Sequence, residues 1–353
     1  MYRLLLFTDY HISSKGRRTF RRLDECLRTA EWLASQVKEH WPDAVVNLGD
    51  TFDSHSNLDV PSLCTGVRAM DIIMQACNAV QARFVVIPGN HDAYSFDYSS
   101  LEAFSGLGMD VVWEPTVYDN VFGAMPFTKS PDLATKWIHD LEKHCHTVCA
   151  HIDVKHAKYF SGEDSSIGVD PHDFRGLIYA GHYHHPHNLG AFRFIGSVLH
   201  HNFSDKVLAP RRGLVLVDID DEGNYTQERR IANPHTAVYH KLDWSKNKEK
   251  LRTIKLYGEF AGRMHLRIKC DSRKMKQVRS DVAEMFPDLL SLAIVGVENQ
   301  DSQIKRQSNI RVDADPEDAM ESYVRNKGTP EWMDKEALMK MGKGFLAEAK
   351  ATD

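Results

Sequence analysis

A chain of 353 residues with 42% hydrophobic and 26% charged residues has an ordinary globular balance, with room for one large domain and a smaller one or two. Its formal net charge of −5 argues against a passive nucleic-acid coat, but not against an enzyme that brings bound cations and local basic patches to such a substrate. No apolar run approaches the roughly 20 residues that cross a bilayer, and Asp9 and His11 end the apolar start too soon for a signal sequence, so no membrane is expected.

The first half alternates strand-like and helix-like segments. Arg3–Thr8 reads as a buried strand, followed by helical spacing over Thr19–His40 with Phe20, Leu23, Leu27 and Ala30 on one stripe. Ala44–Leu48 is a second strand. Pro61–Val80 is a second helix with Leu63, Val67, Met70 and Met74 on its apolar side, a stripe that fits ordinary core or a dimer face. Phe84–Ile87 is a third strand. Short apolar runs then follow at Val121–Met125, Thr147–Ala150, Leu177–Tyr179, Phe192–Ile195 and Leu214–Ile219. The fold class expected is α/β, with two mixed sheets packed together and helices outside. A boundary is expected near Asn233-Pro234. Beyond it Met264–Ile268, Arg273–Phe286 and Leu290–Val297 form a small β-α-β unit, a polar stretch reads as linker, and Pro316–Ala349 reads as one or two helices.

The chemistry lies in five short motifs, each just after an expected strand: Thr8-Asp9-Tyr10-His11, Gly49-Asp50-Thr51-Phe52-Asp53, Gly89-Asn90-His91-Asp92, Ala150-His151-Ile152 and Gly181-His182-Tyr183-His184. Loops at the carboxyl ends of strands are where open α/β sheets place their ligands. Carboxylate, imidazole and amide oxygen suit manganese, iron or zinc without any thiolate. Asp9 and His11, like His182 and His184, alternate in position, so from extended backbone each pair points the same way. A lone D-x-H or Gly-Asp is a weak signal and Gly-Asn-His-Asp after a strand a moderate one, but five motifs in order are a strong signal against a coincidence of capping aspartates and core histidines.

These five motifs resemble the signature of the calcineurin-like metallophosphoesterase superfamily, whose fold is an αββα sandwich. The resemblance implies that Asp9, His11, Asp50 and His184 hold one divalent metal ion, and that Asp50, Asn90, His151 and His182 hold a second, with Asp50 bridging. His91 would stand beside the pair as the catalytic residue. The ions, manganese by preference, would share a hydroxide that attacks phosphorus in line. Within the superfamily, His151-Ile152-Asp153-Val154-Lys155 with Phe160-Ser161-Gly162, and Phe194-Ile195-Gly196-Ser197 with Ser204-Asp205 and Arg212-Gly213, are similar to the SbcD-type nucleases, in particular the tailed-phage recombination endonuclease subunit. That likeness implies a nuclease domain over residues 1–234, a DNA-capping α+β domain over 235–300, a linker over 301–315 and a helical ATPase-binding tail over 316–353. It further implies double-stranded DNA ends as substrate, an SbcC-like SMC-type ATPase as partner, a homodimer, and a role in recombination and repair. The alternative is a small-substrate phosphatase or cyclic-nucleotide phosphodiesterase on the same fold. Some family members carry a histidine where this chain has Asp53, and His55 is the nearest substitute.

Other features are read against plainer accounts. Lys15, Arg17, Arg18 and Arg21 follow the first motif and fit either phosphate contacts or a solvated loop and helix face. Lys269, Arg273, Lys274, Lys276 and Arg279 form a second basic cluster. His185 and His187 are expected at the site's rim. Cys145 and Cys149 read as ordinary thiols and not as a zinc site, because the fourth motif claims His151. The six cysteines are scattered without a disulfide pattern, which suits a reducing cytoplasm, that of a host cell for a phage-encoded chain.

Overall fold

The computed structural model describes residues 1–14, 19–93, 95, 98–159, 163–201, 203, 212–220, 224–246, 264–297 and 339–343, and of 19–21 the backbone alone. The chain divides into two compact units, Met1–Val297 and Glu298–Asp353. In the second, residues 339–343 are helical; the rest of the expected tail helices lies outside the described residues.

Two six-stranded sheets make up most of the first unit. One contains β1 (Tyr2–Phe7), β2 (Ala44–Asn47), β3 (Arg83–Val86), β4 (Asp110–Val111), β11 (Gly213–Ile219) and β12 (Tyr225–Ala232), in the order β12-β11-β1-β2-β3-β4. The other contains β5 (Thr116–Tyr118), β6 (Phe122–Met125), β7 (Thr147–Ala150), β8 (Leu177–Ala180), β9 (His187–Leu189) and β10 (Phe192–Phe194), in the order β5-β6-β7-β8-β10-β9. Both are mixed: parallel neighbours run through β1 to β4 and through β6, β7, β8 and β10, and antiparallel strands complete each sheet.

Period-two alternation explains how a strand as apolar as β1 is used. Leu5 and Phe7 join a core with Leu23, Ala30 and Leu33 of helix α1 (Thr19–His40) and Ala69, Met70 and Ile73 of α2 (Val60–Val80). Leu4 and Leu6 point the other way, into a core between the sheets with Phe122, Cys149 and Tyr179. A third core lies between the second sheet and α4 (Pro131–Leu141). The short α3 (Glu102–Ser105) precedes β4. The layers are therefore helix, sheet, sheet, helix, as the strand pattern leads one to expect.

Several elements differ in detail from that expectation. On α2 the fully buried line is Gly66, Ala69, Met70, Ile73 and Cys77, while Leu63, Val67 and Met74 are only partly buried at its flank. The small residues face inward because Phe52 presses against the helix: a Cβ on Gly66 would lie 2.4 Å from the Phe52 ring. Beyond β12, β13 (Val238–Asp243) pairs in parallel with β14 (Met264–Asp271), which pairs in parallel with β15 (Ser291–Val297). With α5 (Met275–Met285) this makes a three-stranded unit around its own core of Leu266, Ile268, Val278 and Val282, one strand more than the β-α-β expectation. All six cysteines are free, and Cys145 and Cys149 are buried. Among the described residues no helix is long and apolar enough to cross a membrane.

Candidate metal centre

Parallel pairing makes β1, β2 and β3 of one sheet and β7 and β8 of the other each end at one of the five motif loops. The pairing of β1 with β2 continues past the strands: Asp9 N donates to Gly49 O at 2.9 Å, His11 N to Asp50 O at 2.9 Å and Ile12 N to Thr51 O at 2.9 Å. The backbone here is not extended. Asp9, His11, Asp50 and His182 take φ of 51, 47, 52 and 79°, the left-handed region that non-glycine residues enter at a cost. Asp9 and His11 thus converge through left-handed turns held by neighbouring loops, and not through the simple alternation of an extended segment.

The seven expected ligand residues come together. His11 Nε2 lies 3.1 Å from His184 Nε2. Asp9 Oδ1 is 3.9 Å from His11 Nε2 and 3.8 Å from His184 Nε2. Asn90 Oδ1 lies 3.0 Å from His151 Nε2 and 2.8 Å from His182 Nδ1. Between these two groups sits Asp50, whose Oδ2 is 3.6 Å from His11 Nε2 and 3.3 Å from His151 Nε2. Ligands bound at about 2.1 Å to one ion are spaced by roughly 3–3.4 Å, so this packing of acceptor atoms suits cations. Asp9 Oδ2 is buried and makes no hydrogen bond among the described residues, which suits a metal ligand and is otherwise costly.

Hydrogen bonding fixes which nitrogen each ring presents. His151 Nδ1 donates to Leu48 O at 2.8 Å, which leaves Nε2 toward Asp50 and Asn90. His182 Nε2 donates to Asp153 Oδ1 at 2.8 Å, which leaves Nδ1 toward Asn90. Carboxylate or carbonyl partners of this kind orient ligating histidines and raise their basicity. His91 Nδ1 donates to Asp53 O at 2.7 Å, leaving Nε2 as its basic position, and its ring stands 4.9 Å from that of His11. The backbone N–H of His91 donates to Asp50 Oδ1 at 2.9 Å.

The electrostatics follow from burial and charge. Burial alone would raise the Asp50 carboxyl, but the charge of His151 and its hydrogen bond outweigh it and hold the group ionised well below the usual carboxylate range. Burial alone would lower His151, but the Asp50 charge outweighs it and lifts the imidazole to about 9; a bound cation would displace that proton. Burial pushes His11 down, so its ring is neutral, the form that ligates. Asp92 is a fastener between loops, accepting from Thr51 N, Phe52 N and Gly89 N at 3.0, 2.9 and 3.1 Å. Burial and the charge of Asp50 raise it to about 7.

Asp153 and His201 belong to the site and are missed by motif reading; a carboxylate two residues after His151 is the one signal that pointed to the former. Asp53 sits at the edge with Oδ1 3.7 Å from His11 Nδ1, and His55 is exposed. His187 is built into the wall, accepting from Lys158 N at 3.1 Å and stacking on Phe194, while His185 is half-buried beside it. Lys15, Arg17 and Arg18 lie outside the described residues, as does the side chain of Arg21. Lys269, Arg273, Lys274, Lys276 and Arg279 are all exposed, with Arg273 paired to Asp271 at 2.8 Å.

No curated protein matches this chain. Solved structures similar to it include a protein of unknown function from Aquifex aeolicus, with 13% identity over 48% of this chain and 83% of that one at a TM-score of 0.23. Another is a dimetal phosphatase from Danio rerio, with 14% identity over 52% of this chain and 70% of that one at a TM-score of 0.25. Residues 2–194, more than half of the sequence and all seven ligand positions, match the family model of calcineurin-like phosphoesterases. The chain belongs to that family, the calcineurin-like phosphoesterases, metal-dependent hydrolases that bind two divalent ions.

Proposed function

We propose that the chain is a manganese-dependent DNA nuclease of the SbcD type, the cutting subunit of a recombination and repair complex. The observation that carries the two-metal chemistry is the position of Asp50 Oδ2, 3.6 Å from one ligand group and 3.3 Å from the other. Asp9, His11, Asp50 and His184 would hold one ion, and Asp50, Asn90, His151 and His182 the other. When bound, the pair supplies a hydroxide nucleophile at neutral pH and neutralises charge on the phosphoryl oxygens.

The protein's own groups do the rest. Asp153 and the Leu48 carbonyl keep His182 and His151 in the tautomers that present Nδ1 and Nε2. Asp53 O holds the His91 ring by Nδ1, so a proton passes from Nε2 to the ester oxygen that departs as the new phosphorus–oxygen bond forms. Support for a polymeric substrate comes from the three-stranded unit, whose exposed Lys269, Lys274, Lys276 and Arg279 provide sequence-independent attraction to a phosphate backbone.

The test compares manganese-dependent release of nucleotides from linear duplex DNA with hydrolysis of a generic aryl phosphate ester. Nucleotide release is expected to dominate. Rapid ester hydrolysis with intact DNA would overturn the nuclease reading in favour of a small-substrate phosphatase.

A further inference from the structure

His201 is not in any of the five motifs, yet its ring closes one wall of the first ligand group. Ring centroids stand 4.9 Å from His11 and 4.8 Å from His184, edge to face in both cases. One nitrogen from each of the three rings lies within 4.8 Å of the others, so proximity alone would make His201 a further ligand. Hydrogen-bond logic says otherwise. Arg22 Nη2 lies 2.8 Å from His201 Nδ1, and a guanidinium only donates, so Nδ1 must accept. The ring proton is therefore on Nε2, which lies 2.9 Å from the carbonyl oxygen of Asp9 and donates to it. Both nitrogens are committed, and neither has a lone pair to give an ion.

We propose that His201 is a positioning residue: it holds the left-handed backbone of Asp9 by its carbonyl, and thereby aims the Asp9 carboxylate and packs the His11 and His184 rings. Asp9 is otherwise tied by its N–H, which donates to Gly49 O at 2.9 Å, and by Oδ1, which accepts from His182 N at 3.2 Å, so His201 secures the carbonyl of the same residue. Arg22 is itself anchored, bonding Glu25 Oε2 at 2.8 Å and His200 O at 3.2 Å. Glu25 Oε1 in turn accepts from Ala237 N at 2.5 Å, immediately before β13. One buried polar chain thus joins the first ligand group, α1 and the lead into the three-stranded unit.

The inference rests on the two-metal reading, and its test separates the two. Manganese is titrated calorimetrically into the full-length metal-free protein, its His201→Phe variant and its His201→Gln variant, with thermal melts in chelator to establish folding. The wild type is expected to bind two ions. His201→Phe, with a ring but no donor, is expected to weaken one of them by roughly 10–100-fold and leave the other unchanged, as loss of an orienting partner does. His201→Gln, whose amide N–H can reach the Asp9 carbonyl, is expected to recover most of that loss. Unchanged binding of both ions by His201→Phe would overturn the proposal. So would loss of one ion outright in both variants, which is the signature of a direct ligand. If His201→Phe does not fold, His201→Leu carries the same comparison. Fewer than two ions on the wild type would overturn the two-metal reading itself.

Discussion

Asp50 is 1% exposed and ionised, a state that hydrocarbon neighbours could not sustain and that histidines on both sides make tenable. Its shared position gives a sharp expectation. Asp50→Asn removes charge from both ligand groups at once, so metal analysis of the purified variant should find both ions depleted and hydrolysis lost. Two ions with normal turnover would remove Asp50 from the centre. His91 is expected to behave differently. His91→Asn should keep both ions and DNA affinity yet slow turnover by about 10²–10⁴-fold, as loss of a general acid does. Loss of metal would make it a ligand instead. The candidate ligands were legible because each lies in a contiguous motif of a few residues. Asp153 and His201 act through hydrogen bonds to residues 29 and 192 positions away; the two-residue step from His151 hints at the first, and no local spacing carries the second. The left-handed turns at Asp9 and His11 were likewise hidden, since neither residue is the glycine that announces such backbone.

Gly66 shows how an element sets the geometry of a motif. Phe52, two residues after Asp50, packs against the helix at the point where a Cβ would stand 2.4 and 2.5 Å from its ring atoms, and stacks on Phe104 beyond. Gly66→Val should overpack this contact and cost about 1–3 kcal/mol, read from the midpoint of urea unfolding at unchanged slope. An unchanged midpoint would mean that α2 shifts freely. The same helix explains a misreading. Leu63, Val67 and Met74 make the more apolar stripe, but close approach of an aromatic ring selects small residues for the buried line. Strands with apolar runs were readable to within a residue, except β14, which runs three residues past the expected Ile268 to Asp271. β12 was not, because most of its residues, Tyr225 to Arg229, are exposed and carry no apolar pattern. The 11-residue α4 was missed although Ser130-Pro131 is a good helix start, with Ser130 Oγ accepting from Leu133 N. β5 and β9 have three residues each, too few to show a period.

At the scale of the whole molecule, the metal centre joins the two sheets. Asp9, Asp50 and Asn90 follow strands of one, and His151, His182 and His184 follow strands of the other. Ions that bind only the folded arrangement stabilise it by mass action, about 2.7 kcal/mol for a site at 100 times its dissociation constant. Adding manganese to chelator-treated protein should therefore raise the melting temperature by several degrees, by an amount that grows with concentration. A melting temperature indifferent to manganese would mean that the loops are held without it. The second compact unit offers a separate expectation. Deleting residues 316–353 lies wholly within Glu298–Asp353 and should leave metal binding and basal cleavage intact. On the proposed nuclease reading, co-purification with an SbcC-like ATPase, and stimulation by ATP, should be lost. A truncated protein that still forms the complex would sink the assignment of the tail.

The order of the ligands along the chain has a consequence for synthesis in the cell. Those from Asp9 to Asn90 leave the ribosome first, but the centre is closed only by His151, His182 and His184, and by strands that must dock as a second sheet. A growing chain, or one released early, carries Asp9, His11, Asp50 and Asn90 without His151, His182 and His184. It can attract a cation but cannot assemble the pair. Hydrolytic activity is thereby deferred until the fold is nearly finished.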